Sequence, residues 1–195
     1  MEVIAIPAEK IYESKTNIFK EWQEKEEFPM YVLNHIAILP KLPENRWKKS
    51  KILMYLSYLI EMYKKPAKFF RAKDPLPSDW PEMIKTKLYK NYTLYVDSGP
   101  KPTRCVPLRL KDKLILNILV LCLILDEFEL PLNDLQKDLK IGGRSLDAHV
   151  RALGCKVKVR KQTTDDGEKL EIKTATLEVP LTFPEVSVKR KKDRR

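Results

Sequence analysis

Nine basic side chains stand where a polyanion could meet them. Lys85, Lys87 and Lys90 recur within one helix-length segment, and Arg144 and Arg151 lie on another. Lys156, Lys158 and Arg160, with Lys161 after them, alternate with Cys155, Val157 and Val159. A period of two makes that stretch a strand with one apolar face and one cationic face. Clustered Lys and Arg neutralise phosphates and release condensed counterions. The expected chemistry is therefore contact with a nucleic-acid backbone. These residue types serve mainly as phosphate binders, so weak sequence preference and strong salt dependence are expected. A basic strand that merely faces solvent is the competing reading.

Catalytic chemistry has little to stand on. His35 and His149 are the only histidines, and both read as core or surface residues rather than bases or ligands. Asp134 and Asp138 share a helix face at i,i+4, read as a solvated face before a metal site. Asp165 and Asp166 fall in a hairpin turn, where aspartate is favoured for local backbone reasons. Cys105, Cys122 and Cys155 are far apart and odd in number, which argues against a disulfide scaffold or a zinc site. Cys122 and Cys155 read as small buried hydrophobes, and a reducing compartment fits best. Five glycines, of which only Gly142 and Gly143 adjoin, exclude the usual Gly-rich phosphate cradles. No cofactor, no metal and no enzymatic activity are expected.

These cations need elements to hold them. The 195 residues carry a net charge of +11, concentrated in 41–113, 144–161 and the last seven residues, whereas 1–27 is acidic. The spacing predicts helices over 15–25, 30–39, 44–64, 80–91, 113–126, 132–139 and 144–153. In 44–64, Ile52, Leu53, Leu56, Leu59, Ile60 and Tyr63 share one face. Asp79 and Glu82 read as a capping box for the helix that follows them. Helix 113–126 is apolar on nearly every side and should be buried between two units or against a partner. Gly154 stands where a left-handed cap is wanted. Strands are expected over 92–96, 103–108, 155–160 and 170–179, with Asp166-Gly167 turning the second hairpin. The longest apolar run, Leu114 to Leu125, is too short to span a bilayer, and the N-terminus shows no signal-peptide pattern.

Helix, helix, tight turn, helix and hairpin make up the winged-helix order in 110–184. A weaker version runs through 28–109. The expected fold is mainly α with small β wings (α+β), a tandem winged helix. An acidic lead-in over 1–27 would precede it. A basic tail over 185–195, disordered, would follow and serve nuclear targeting or an auxiliary nucleic-acid arm. A function of a different class is a protein–protein docking module. In it helix 113–126 packs on a transcription complex and DNA contact is incidental.

Several stretches resemble one family. Lys113-Leu114-Ile115, Leu125-Asp126-Glu127-Phe128-Glu129-Leu130 and Leu135-Gln136-Lys137-Asp138-Leu139-Lys140 resemble the second winged helix of the forty-nine-kilodalton subunits of RNA polymerase I. The likeness continues from Arg144 to Leu153 and through Lys156 to Lys161. Glu21-Trp22-Gln23, Val32-Leu33-Asn34-His35 and Leu88-Tyr89-Lys90-Asn91-Tyr92-Thr93 resemble the family's first winged helix. The resemblance implies a non-catalytic tandem winged-helix module, similar to that of the small subunit of the general initiation factor acting on RNA polymerase II. It implies double-stranded DNA and RNA polymerase I core subunits as partners, support of rRNA gene initiation and elongation, and a nuclear, nucleolar location. The family also pairs with a second subunit through an N-terminal dimerisation domain. That domain has no counterpart in these residues, so a heterodimer partner would be held outside them.

Overall fold

The computed structural model describes residues 4–14, 18–72, 74–97, 102–163 and 169–184. The basic tail, the tip of the second hairpin at 164–168 and most of the turn after Asp97 lie outside the described residues. The element order is α1 (Ala5–Tyr12), α2 (Ile18–Glu24), α3 (Met30–Ala37), α4 (Pro43–Lys64), a 3-10 helix (Ala67–Arg71), α5 (Glu82–Tyr92), β1 (Leu94–Val96) and β2 (Thr103–Cys105). Then come α6 (Leu108–Leu125), β3 (Glu129–Pro131), α7 (Leu132–Leu139), α8 (Gly143–Ala152), β4 (Lys156–Thr163) and β5 (Lys169–Thr176). Helices dominate, and both sheets are small and antiparallel, which makes the fold α+β. No described helix is long and apolar enough to cross a membrane.

Proline sets most of the helix boundaries. Pro43 opens α4, where a missing N–H costs nothing, and Pro66 follows its end. Pro107 occupies the capping position of α6, so that helix starts at Leu108 rather than at 113. Its first turn was illegible because Leu108 is exposed and the apolar period begins only later. At α5 the expected Asp79 cap does not form. Pro81 takes the capping position, and no side chain caps the helix there.

In the second unit β3 pairs with β5, and β5 with β4, giving the order β3-β5-β4. Leu130 faces Ala175 across the first ladder, and Val157 faces Ala175 across the second. Both Leu130 and Ala175 are fully buried, which fixes the register. The order α6, β3, α7, α8, β4, β5 follows the winged-helix sequence of elements. The first unit runs α4, 3-10 helix, α5, then a two-stranded ribbon of β1 and β2. Among the described residues that ribbon has no third strand.

One core runs through both units. Helix α6 packs against α4, α5 and α8. Its Leu114, Ile115, Ile118, Leu119, Cys122 and Leu125 join Leu53, Leu56 and Ile60 of α4 in a single cluster of buried side chains. The stretch expected as a lead-in joins this core as well. Ala8 and Ile11 of α1 are buried on α4, and Trp22 packs edge-on against Phe28, with ring centres 5.2 Å apart. Arg46 of α4 closes the end of α1, donating from Nε to the Tyr12 carbonyl (2.7 Å) and from Nη2 to the Ser14 carbonyl (2.8 Å).

Helix α3 is held by carboxylates from far along the chain. Asp138 of α7 accepts from the backbone N–H groups of Met30 (3.0 Å) and Tyr31 (2.8 Å). It thus satisfies two orphan donors at the start of α3 and places negative charge at the positive end of the helix dipole. Asp126, just after α6, accepts the Tyr31 hydroxyl (2.6 Å) and contacts His35 Nε2 (2.6 Å). Asp134 accepts from the Asn34 amide (3.0 Å). Asp134 and Asp138, expected on a solvated face, therefore serve as a clasp between α7 and α3. Asp138 is almost wholly buried.

Two predictions follow from the clasp. Replacing Asp138 with Ala strands two buried donors and should lower stability by about 1–3 kcal/mol, read from urea unfolding. His35 is the second case. Burial opposes its charge, but the hydrogen bonds to Asp126 and to the Tyr31 carbonyl outweigh burial and raise its pKa above the ordinary value. A raised folded-state pKa stabilises fully below the unfolded value, and the benefit is lost as pH rises through the folded one. The melting temperature should therefore fall as pH rises from about 6.5, the unfolded value, through the raised folded one. His35→Gln should flatten that profile, and an unchanged slope would show that the pair does not titrate there.

Candidate nucleic-acid interface

The second unit builds its basic surface on a fixed frame. Helix α7 ends at Lys140, which takes a left-handed conformation (φ 50°) and turns the chain towards α8. Leu146 and Val150 bury the inner stripe of α8. Two contacts with other elements set its rotation, and a third, within the helix, holds the His149 ring. Asp147 Oδ2 accepts from Lys173 of β5 (2.9 Å), His149 Nε2 meets Asp112 of α6 (3.2 Å), and His149 Nδ1 meets the Ser145 carbonyl (2.7 Å). Asn133 at the start of α7 donates to the Glu171 carbonyl (2.7 Å) and accepts from Lys173 N–H (3.0 Å), tying α7 to β5. With the inner face so fixed, Arg144 and Arg151 point to solvent.

Gly154 (φ 87°) turns the chain from α8 into β4, and a side chain there would meet the Phe183 ring at 3.2 Å. Strand β4 then alternates as expected. Cys155 is buried, Val157 half-buried and Val159 exposed, so the apolar face opens as the hairpin runs past the core. Lys156, Lys158, Arg160 and Lys161 are exposed along it. Two carboxylates approach them. Glu178 meets both Lys156 (3.4 Å) and Lys158 (3.0 Å), and those lysines, Lys158 foremost, hold its carboxyl below the usual range. Glu171 meets Lys161 (3.6 Å) directly across the ladder. Exposed pairs of this kind contribute little and exchange readily for other anions. Arg144, Arg151 and Arg160 have no ion pair with a described residue.

The first unit treats its three lysines differently. Lys85, expected to project from α5, is a correction: its side chain is 3% exposed. It pairs with Glu82 one turn back and with Asp74 (3.4 Å), and these partners raise its pKa, Glu82 foremost. The helix face that carries Ile84 and Leu88 draws Lys85 inward, so its ammonium is spent within the protein. Lys87 is exposed and its ammonium lies 5.8 Å from the Tyr55 ring centre. Lys90, in the last turn of α5, is exposed.

Other cations gather without any local pattern in their spacing. Lys64 from the end of α4, Lys111 of α6 and Lys140 line a hollow of about 260 Å³ with Tyr63 and Leu139. Lys111 lies 4.7 Å from the Tyr63 ring centre. Arg104 of β2 lies over Tyr89 at 3.8 Å and beside Tyr95 at 5.0 Å. The three lysines come from distant segments, so no local spacing announced them. Among the described residues no group of three His, Cys, Asp or Glu side chains could hold a metal ion.

The family model of the A49-like RNA polymerase I associated factors matches residues 1–184. The human DNA-directed RNA polymerase I subunit RPA49 is 23% identical over 180 residues, covering 92% of this chain and 42% of that protein. The mouse protein of the same name is 26% identical over 165 residues, covering 85% of this chain and 34% of its own length. That of Schizosaccharomyces pombe is 26% identical over 164 residues, covering 80% of this chain and 38% of its own. The chain thus spans between about one third and about two fifths of the length of these curated relatives. Matched over nearly all its residues, it belongs to the A49-like family of RNA polymerase I associated factors.

Proposed function

We propose that this chain is a non-catalytic, tandem winged-helix module that binds double-stranded DNA for RNA polymerase I. It would act in the nucleus, at the nucleolar rRNA genes, supporting initiation and elongation beside the polymerase core subunits. A heterodimer partner would be engaged through the family's N-terminal dimerisation domain, which these residues do not contain. The relatives' printed names supply the polymerase, and the second unit supplies the DNA surface.

One observation carries the DNA reading. Helix α8 and strand β4 expose Arg144, Arg151, Lys156, Lys158, Arg160 and Lys161 together, and no described carboxylate pairs with any of the three arginines. In winged-helix proteins these two elements face the duplex. Lys90 of α5 is the first unit's contribution. Lysine and arginine on phosphates position a protein without reading sequence, so affinity should vary little between unrelated duplexes.

The test is duplex binding by fluorescence anisotropy against salt. Six phosphate contacts predict a loss of about three orders of magnitude in affinity between about 50 mM and 200 mM salt. Replacing Arg144, Arg151 and Arg160 with Ala together should lower the log–log slope by about 0.9 per arginine. An unchanged slope in that variant would remove α8 and β4 from the interface. Lys85→Met should leave the slope as it was, because the ammonium it removes is already enclosed.

A further inference from the structure

The first unit carries a groove that phosphate chemistry does not explain. It holds about 380 Å³ and is lined by Ile4, Ile52, Tyr55, Met83, Ile84 and Leu121, with Lys51 and Lys87 on its sides. The lining comes from the start of the chain, α4, α5 and α6. Met83 of α5 is 67% exposed within this apolar lining. Ile124, one turn beyond Leu121 on α6, is 49% exposed.

The charge around the groove has one sign. Lys51 lies 4.7 Å from the Trp47 ring centre and Lys87 lies 5.8 Å from that of Tyr55. Neither lysine has an ion pair with a described residue, and none of the groove's described lining residues is acidic. An apolar trough with unneutralised cations on its sides complements an amphipathic segment whose apolar anchors are flanked by carboxylates. A duplex does not fit that description. The trough offers the backbone no row of donors, and phosphates gain nothing from Ile52, Met83 or Leu121.

We infer that this groove docks an acidic amphipathic helix of a partner protein, with Met83, Ile84 and Leu121 receiving the apolar anchors and Lys51 and Lys87 pairing with flanking carboxylates. The part of α5 that carries Met83 and Lys87 is thereby given to a protein, and DNA contact falls to α8, β4 and Lys90. The inference extends the DNA reading without resting on it: of the groove residues only Lys87 is among the candidate phosphate contacts, and here it is assigned to a carboxylate instead.

The test uses the full chain and a labelled synthetic peptide. The peptide is an amphipathic helix with leucines at i, i+3, i+4 and i+7 and glutamates on both flanks. A lysine-flanked copy and a scrambled copy serve as controls. The expected result is saturable binding of the glutamate-flanked peptide alone. Met83→Glu, at an exposed position, should weaken it at least tenfold while leaving helix content by circular dichroism and duplex affinity unchanged. The double variant Lys51→Glu with Lys87→Glu should reverse the preference and bind the lysine-flanked peptide. Equal binding of both peptides, an unaltered affinity in Met83→Glu, or displacement of the peptide by duplex DNA would each overturn the proposal. So would binding of phosphatidylcholine vesicles that Met83→Glu abolishes while no peptide binds, which would assign the groove to lipid.

Discussion

Between Leu114 and Leu125, helix α6 has almost no polar side to give to water. Apolar surface of that extent must be covered on several faces at once, and no single small unit can do so. Helix α4 covers one face, while α5 and α8 cover others. Helices α5 and α8 are thus anchored to the same rod. Whatever each binds, their separation is set by packing rather than by a linker. Asn117 is the polar interruption in the run, and it donates to the Tyr92 hydroxyl (2.7 Å), so even that group ties α6 to α5.

The carboxylate clasp on α3 adds direction to what the apolar core leaves loose. Hydrophobic burial is insensitive to small rotations, whereas a hydrogen bond is not. Asp126, Asp134 and Asp138 each take a donor from α3, and all three come from the second unit. The acidic-aromatic turn after α6 and the leucine-rich α7 therefore have a structural duty in this chain. Asp126 and Asp138 spend their charge within the molecule, whereas Arg144, Arg151 and the cations of β4 stay on its surface.

The two units divide their surfaces by charge and by shape. On the second, rigid contacts such as Lys173 with Asp147 lock α8 from behind and leave arginines in front. On the first, Lys85 is turned inward and α5 instead exposes Met83 beside a trough. Similar helix positions thus present unlike surfaces. The reason lies in what each helix packs on: α8 lies on α6 and β4, with Lys173 of β5 tied to it, whereas α5 lies on α6, with Tyr55 of α4 beside Lys87.

The sequence by itself determined much of the frame. Period 3.6 located α3, α4, α7 and α8 to within a residue or two, and period 2 located β4, because both patterns are local consequences of which face is buried. It also marked Arg144, Arg151 and the lysines of β4 as outward-facing, since the opposite positions are apolar. Tertiary structure alone decided the rest. Strand β3 is three residues long and exists only through pairing with β5. Helix α1 has no strong period of its own and forms against α4. Lys85 and Asp138 read as surface charges, yet long-range partners at Asp74 and at the start of α3 enclosed them. The groove beside Met83 and the lysines at 64, 111 and 140 join segments far apart in the chain. Local spacing reports which side of an element is buried, and it carries no record of what arrives there from elsewhere.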